Sequence, residues 1–491
     1  MNKLLLASFF LLFAVKGFSQ QFSQYNTGTL YDSFENPAQR TFIPDSSKMF
    51  ASNFLVPNFN VNFYLTGDAQ TALKSRAFSS YYNTGALQIG NGKNNHIDIN
   101  ANNYLVMFKV FPDLNGNAEL GFSINTKAEA RGLVSDETIA LLNGTGSFPN
   151  NSYSNIFNDN LFYQVYQQIG FTYREQINDR FAIGIKLNAL SGVSYDKTEV
   201  DQSRITFDKL NDAADLELQG RNYSSNNDGK SFMQNMLPTF RNPGASISIG
   251  TTYKTDGGFT LQGNIKDLGF IHWNKTSSIN FFNNFGSPVT IHGLSTSARE
   301  DSIYNKANFL TTNNNSKKTT DFATPTDGLV ELSASRSYWF GESDQFKFSP
   351  TLIASKEIAY TGFTGALVAP FQYQKYVVTL TSSYNDLNMF NFGGQFMIKT
   401  PNAEFFIGSE RLYQTASLAV SAYKSAINLA APQTNATPTG FTGMDFFIGF
   451  SVKFGNIIEP NMNSSFVPDG EKGFLGRLFD HIFPKDPVRN N

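Results

Sequence analysis

Chemistry at a protein site needs nucleophiles, metal ligands or paired acids and bases at set spacings, and this 491-residue chain offers few. It has no cysteine, which removes disulfides, thiolate nucleophiles and thiolate-bound metals. The four histidines, His96, His272, His292 and His481, are scattered, and none has a second His or a carboxylate at metal spacing. No Gly-x-Ser-x-Gly elbow and no His-Glu-x-x-His occurs. Gly229-Lys230-Ser231 is like the end of a phosphate loop, but the Gly required earlier is Ser224, and the segment is a long polar stretch. Asp113-Leu114-Asn115-Gly116-Asn117 has the start of a calcium loop but lacks the distal Glu, so it reads as a hairpin turn. The residues therefore predict a non-enzyme with no catalytic, cofactor or metal site.

Composition points elsewhere. Lys+Arg is 38 and Asp+Glu is 40, a net charge of -2 that argues against a nucleic-acid partner. Only 16% of residues are charged, against about a quarter in soluble domains. Aromatics reach 15%, with 49 Phe, yet the mean hydropathy is only -0.27. A stack of transmembrane helices would score higher. A membrane β-barrel fits, because apolar outward residues alternate with polar inward ones.

The N-terminus sets the compartment. Lys3 is followed by an apolar run from Leu4 to Val15, then by the small residues Gly17 and Ser19 before a cut at Gln20. Residues 1–19 are predicted to be a cleaved signal peptide, since a dozen apolar residues cannot span a bilayer. No Cys follows to make a lipoprotein, and no later stretch of 18 apolar residues could make a membrane helix.

The elements that remain are strands. Between Gly443 and Gly455, Phe446, Ile448, Phe450, Val452 and Phe454 alternate with Asp445, Phe447, Gly449, Ser451 and Lys453. A period of two puts one set toward lipid and the other toward a wet lumen. The same period recurs at 161–173, 181–195, 245–253 and 259–265, and around 104–110 with 120–124. Further strands are expected at 48–67, 270–282, 327–340, 345–358, 363–373, 375–386, 389–400 and 402–414. The expectation is an all-β fold: an antiparallel transmembrane β-barrel of about 14–16 strands over residues 48–455. Asn178-Asp179, Gly257-Gly258 and Asn402-Ala403 read as tight periplasmic turns, and 199–242, 286–326 and 415–440 as long polar external loops. Short loop helices are expected at 69–77 and 134–143, the second capped by Ser135. No separate soluble domain is expected.

Two segments lie outside the wall. In residues 20–47, Pro37 fixes its own φ and biases Asn36 away from helix, so Asn36-Pro37-Ala38 forms a compact wedge: a turn into the first strand or a hatch within the lumen. Residues 456–491 form a periplasmic tail. There Phe474, Leu475, Leu478, Phe479, Ile482 and Phe483 make one apolar stripe on a short helix over 471–483, which either packs on the barrel mouth or docks a partner.

Two barrel families are brought in by motif. Asn36-Pro37-Ala38 near the mature N-terminus resembles the FadL-type channels, in which an N-terminal hatch blocks the lumen. Phe22-Ser23-Gln24-Tyr25 ahead of it resembles the PorP/SprF-type membrane proteins of the Bacteroidota type IX secretion system. The Asp267-Leu268-Gly269 turn with Trp273, and Ser409-Glu410-Arg411-Leu412-Tyr413 ending a strand, are similar to the same barrels. These motifs cover about 20 residues, and PorP/SprF-type proteins are considerably shorter, so the chain looks like a longer relative. Gly449, Val452 and Phe454 resemble the C-terminal signal read by the barrel-assembly machinery, with Phe447 where a polar residue is expected.

The resemblances imply an outer-membrane protein whose partners are lipid and, during biogenesis, the assembly machinery. Its expected function is a non-enzymatic accessory of type IX secretion, a translocon-associated plug or cargo escort bound to a translocon subunit or cargo. The alternatives are a FadL-like channel for hydrophobic small molecules, which needs an apolar pocket and a gap in the wall, and a structural or adhesive barrel.

Overall fold

In the computed structural model, alternation of inward and outward residues carries the chain through one antiparallel sheet that closes on itself. The structure describes residues 21–42, 48–54, 56–79, 81–112, 116–225, 238–312, 317–341, 345–360, 362–427, 440–456 and 473–477. Residues 1–19, Gly229-Lys230-Ser231, Leu478, Phe479, Ile482 and Phe483 lie outside them. The wall has 14 strands, within the expected range. They are β1 (Lys48–Ser52, resumed at Phe59–Thr66), β2 (Asn94–Val110), β3 (Ala118–Ser135), β4 (Asn160–Gln176), β5 (Phe181–Asp208), β6 (Pro243–Lys254) and β7 (Phe259–Trp273). Then come β8 (Leu329–Arg336), β9 (Thr351–Glu357), β10 (Phe363–Tyr373), β11 (Tyr376–Asn385), β12 (Phe390–Lys399), β13 (Ala403–Ser409) and β14 (Phe441–Asn456). Closure is by β14 against both pieces of β1, with Lys48 opposite Asn456 and Thr66 opposite Phe441.

The period-two reading holds on β14: Asp445, Phe447 and Lys453 are buried inside while Phe446 lies exposed outside. Phe171, Leu187, Leu332, Leu352, Leu367 and Phe392 are likewise exposed, which in water would be a large apolar patch and in a membrane is the lipid-facing surface. Rings gather near the end where Lys48 and Asn456 meet. Phe346 stacks on Tyr373 at 4.6 Å, Phe348 on Phe371 at 4.7 Å, and Phe50 and Phe54 on Phe454 at 5.6 and 4.7 Å. Such a girdle belongs at a membrane interface. Among the described residues no helix is long and apolar enough to cross a membrane; the strands cross it. The protein is an outer-membrane β-barrel.

The tight turns at 177–180, 255–258 and 400–402 share the end where β1 begins and β14 ends, which is the periplasmic end. The external loops depart from expectation. Residues 199–224 are not loop: β5 runs for 28 residues and pairs beyond the membrane with Ala213–Ser224. The expected strand 270–282 splits, β7 stopping at Trp273 and Ser278–Asn283 pairing with that external hairpin. Helices α2 (Ala69–Ser79) and α3 (Asp136–Leu142) form near the expected places, with Ser135 Oγ accepting from Thr138 N at 3.2 Å. The loop at 286–326 contains helix α4 (Arg299–Thr312) and short strands. Together these segments make an external cap with a hydrophobic core of its own, including Leu141, Phe148, Phe157, Ile205, Phe207, Leu216, Phe282, Ile291 and Leu310. That cap takes up much of what was expected to be long polar loop at 199–242 and 286–326.

Strand β13 is also shorter than expected. It ends at Ser409 because Arg411 turns its side chain into the lumen, and helix α5 (Leu412–Ala426) follows. The upper part of β14 thereby loses its neighbour. Thr415 takes over, its hydroxyl accepting from Asp445 N at 3.0 Å and donating to Asp445 O at 3.2 Å. α5 is amphipathic in reverse: Gln414 and Ser421 are buried, while Leu412, Tyr413, Val420, Tyr423 and Ile427 are exposed on the side continuous with the lipid-facing wall.

Strand β1 is broken at 53–58. Lipid offers no hydrogen bonds, so a broken strand there must be satisfied by side chains. Asn53 does this: Met107 N donates to its Oδ1 at 2.9 Å, and its Nδ2 donates to the carbonyls of Val56, Tyr104 and Leu105 at 3.0–3.3 Å. Asn58 pairs its backbone with Tyr104. The Asn53→Ala variant is expected to lose about 1–3 kcal/mol per stranded group and to unfold several degrees lower in a heat-modifiability gel. Phe54→Ala, which removes a half-exposed ring in contact with Phe454 and strands no backbone group, is expected to cost less; equal costs would refute the role given to Asn53.

Candidate functional site

The lumen follows from the inward face of the strands. That face carries charges, Asn, Gln and Ser, and a polar lumen must be filled or wetted for each group to find a partner. Residues 21–42 fill the lower half. Thr29 caps helix α1 (Leu30–Glu35), its side chain accepting from Asp32 N at 3.2 Å. Leu30, Tyr31, Phe34 and Phe42 pack on the inward Tyr104, Met107, Phe406 and Phe447. This explains Phe447, the inward aromatic in a strand face that otherwise reads as polar.

Wall charges grip the backbone of this segment. Glu119 accepts from Thr41 N and Phe42 N at 2.9 and 3.1 Å, while Lys109 pairs with its other oxygen at 2.9 Å. Glu404 accepts from Leu30 N at 3.0 Å and pairs with Lys453 at 3.3 Å. Arg174 donates to Ala38 O at 2.9 Å, and Lys399 donates to the carbonyls of Thr27 and Gly28. Glu35 pairs with Lys266 and accepts from Asn102 and Tyr104 at 2.8 Å.

Asn36, Pro37 and Ala38 are all buried against the wall. Asn36 Oδ1 accepts from Ala38 N at 3.1 Å, the expected turn. Opposite them Gly184 of β5 and Gly250 of β6 face each other in register. A Cβ on Gly184 would strike the Pro37 carbonyl, and one on Gly250 would strike Asn36 Oδ1. The two glycines make room for the tripeptide, a signal the sequence reading did not use.

The Phe-Ser-Gln-Tyr run also lies inside. Phe22 packs on Ile353, Ala366 and Val368; Ser23 donates to Glu410 Oε1 through its N at 2.8 Å and its Oγ at 2.5 Å; Gln24 bonds Gln395, and Tyr25 bonds Glu331. Asp267-Leu268-Gly269 is not a turn but a bulge within β7. Asp267 takes φ +49 and swings inward to Lys127, Asn188 and Ser248. In the Ser409-to-Tyr413 run the strand ends at Ser409, and Leu412 and Tyr413 already belong to α5.

Above the segment the lumen opens into a cavity of about 660 Å³, with Phe22 and Glu35 on its floor. Its upper wall holds two guanidinium groups. Arg131 bonds Glu357 at 2.6 Å and Asp327 at 3.3 Å, lies 3.8 Å from Asp98, and sits 4.3 Å from the Tyr360 ring centroid. Arg411 donates to Asn391 at 3.1 Å and to Asn62, and stacks 4.9 Å from Tyr64. Glu410 and Asp445 complete this side, Glu410 N donating to Asp445 Oδ1 at 2.6 Å. Burial, with Asp445 adding to it, pushes the Glu410 carboxyl up to about 7.

The remaining expected site residues are placed as follows. Gly449 faces inward, where a Cβ would strike the Phe406 ring; Val452 pairs with Ala403 and Ser52; and Phe454 lies in the periplasmic ring cluster. In the tail, Glu175 at the end of β4 accepts from Leu475 N and Gly476 N at 2.8 and 2.9 Å. Leu475 is buried there and Phe474 is exposed.

Asp32 gives the segment a pH dependence. Burial raises its carboxyl to about 7, against the opposing pull of backbone bonds from Gly28 and Thr27 and of Lys399. A carboxyl raised on folding binds its proton better in the folded state, so stability is full at low pH and falls as pH rises from about 4 toward 7. Thermal unfolding is expected at a lower temperature at pH 8 than at pH 5, with a shallower slope in Asp32→Asn. Separately, Gly184→Val is expected to expel the tripeptide and raise maleimide labelling of an Ala38→Cys reporter severalfold; unchanged labelling would show that the close packing is immaterial.

Comparison with solved structures finds barrels. The chain is similar to the Pseudomonas putida toluene transporter TodX, with 8% identity, 90% of this chain and 97% of that one covered, and a TM-score of 0.38. It is similar to a Pseudomonas aeruginosa FadL homologue, with 11% identity, 88% and 96% covered, and a TM-score of 0.41. The translocator domain of autotransporter NalP from Neisseria meningitidis follows at 6% identity, 83% and 89% covered, and a TM-score of 0.34. No curated protein matches the sequence. A family model matches residues 42–410, three quarters of the chain, and the protein belongs to that family, the family of unknown function DUF5723.

Proposed function

We propose that the protein is a hatch-plugged channel for small molecules, with residues 21–42 as the hatch. The observation that carries this reading is the lumen's division: a cavity of about 660 Å³ above, and below it a segment that belongs to no strand and closes the path. That volume suits one small solute. The segment is held in the lumen by hydrogen bonds, ion pairs and packing, and joins the wall covalently through the chain that leads into β1, so it can shift while staying tethered.

The lining speaks against a purely hydrophobic solute, because carboxylates, amides and guanidinium groups share it about equally with apolar surface. The wall break at 53–58 is stitched by asparagines and does not support a gap. The type IX accessory reading finds no support: Phe22-Ser23-Gln24-Tyr25, on which it leaned, is consumed by internal packing and offers nothing to a partner.

Deleting residues 22–38 is expected to give stepwise conductance in planar bilayers, where the intact chain is quiet. A deletion variant that still shows heat-modifiable folding yet stays silent would overturn the channel reading.

A further inference from the structure

The cavity's charges are unbalanced by level. Near the floor, Lys266 pairs with Glu35 and Lys127 with Asp267, and the buried Lys186 lies beside them at 3.0 Å from Tyr104 Oη. The upper lining carries six carboxylates, Asp98, Asp327, Glu357, Asp386, Glu410 and Asp445. Among the described lining residues two guanidinium groups, Arg131 and Arg411, stand at this level, and Lys197 is bound 2.7 Å from Glu199 outside the lining. Arg131 faces three carboxylates, and Arg411, bonded to the Asn391 amide, also feels Asp445, Asp98 and Glu410.

One further atom points to a missing donor. Asn100 Oδ1 belongs to a lining residue that is 4% exposed and has no hydrogen-bond partner among the described residues. It is an acceptor, so what it lacks is an N–H or O–H group. Aromatic rings line the same space: Tyr64, Phe162, Tyr195 and Tyr360. The protein's own guanidinium groups already stack on two of these rings. Among the described residues no group of acidic or imidazole side chains is arranged to hold a metal ion.

We propose that the upper cavity binds an organic cation, a solute bearing an amine or guanidinium group, held by these carboxylates and by the ring faces. Carboxylates on low-dielectric walls focus their field into the cavity and concentrate cations there, and ring faces add attraction for a desolvated cation. The inference deepens the channel reading and rests on it for the movement of solute, while binding stands as a separate measurement.

The test uses the full chain in detergent and in liposomes, at pH 7.5 and low salt. Agmatine is the probe, with glutarate as the anionic control and erythritol as the neutral one. Calorimetry is expected to show agmatine binding, no glutarate binding, and affinity weakened about tenfold in Asp327→Asn with Glu357→Gln. Because that pair supports Arg131, the exposed Asp386→Asn and the single Glu410→Gln serve as milder variants, each expected to weaken binding severalfold with heat-modifiability unchanged. Absent agmatine binding, binding of glutarate as tight as agmatine, or full affinity in all the folded variants would each overturn the inference. Liposome uptake separates the two claims. Erythritol or glutarate flux without agmatine binding would sink the cation site and leave the channel. Agmatine binding in a barrel that passes none of the three, even after deletion of 22–38, would sink the channel and leave the site.

Discussion

Every feature of this molecule answers to one constraint: a peptide N–H or C=O facing hydrocarbon must find its partner within the protein. The sheet closes because an open edge could not. Where the closed sheet falters, a side chain restores the missing bonds. Asn53 does so at the break in β1, and Thr415 does so where β13 ends early and β14 has no neighbour on that side. At the bulge in β7, Ser248 Oγ accepts from Asp267 N at 2.9 Å. These repairs let a regular wall contain three irregularities, and each irregularity turns a group inward: Asn58 toward the core, Asp267 toward Lys127, and Arg411 toward Asn62 and Asn391.

The same alternation that suits the lipid creates the difficulty inside. A strand with an apolar outer face has a polar inner one, and a narrow lumen takes those groups away from bulk water. Burying a charge costs several kcal/mol unless it is paired and hydrogen-bonded. The N-terminal segment meets this need at the lower level, supplying backbone N–H groups to Glu119 and Glu404 and carbonyls to Arg174, Lys399 and Lys186. Its own apolar residues then require an apolar footing, which is why Phe406 and Phe447 interrupt the polar inner face. Hatch and wall are complementary in charge, in apolar contact and, at Gly184 and Gly250, in shape.

Much of the barrel was legible because period two is a strong signal wherever one face meets lipid. β14 reads directly from Phe446 to Phe454. The external hairpin was missed because its apolar period, Ile205 and Phe207 against Leu216 and Leu218, is short and sits among Asp, Arg and Lys. The end of β13 was missed because Glu410 and Arg411 continue an alternating pattern while the chain leaves the sheet; the inward partners that pull Arg411 out of register come from β1 and β12, distant in sequence. The tripeptide at 36–38 was visible as a rigid turn, but its location was not, since the glycines that admit it lie about 150 and 210 residues away. The cavity had no local signature at all. Its six upper carboxylates come from β2, β9, β14 and three connecting segments, and a net charge of -2 over the whole chain hides their gathering at one level.

Glu410 joins the two halves of the lumen. Its Oε1 accepts from Ser23, at the upper end of the segment, and the residue itself belongs to the cavity lining. A group shared in this way couples whatever occupies the cavity to the position of the segment below it. A cation that draws the carboxylate toward itself competes with the Ser23 N–H and hydroxyl, and by reciprocity a hatch that holds Glu410 firmly weakens the cation's grip. Protonation acts on the same atom. Burial raises the Glu410 carboxyl, so a cation arriving beside it favours the ionised form and releases a proton. On the proposed reading, the segment and the cavity are therefore not two independent devices stacked in one barrel. They meet at one buried carboxylate, and the energy with which a solute would bind above is available, through that residue, to loosen the segment beneath.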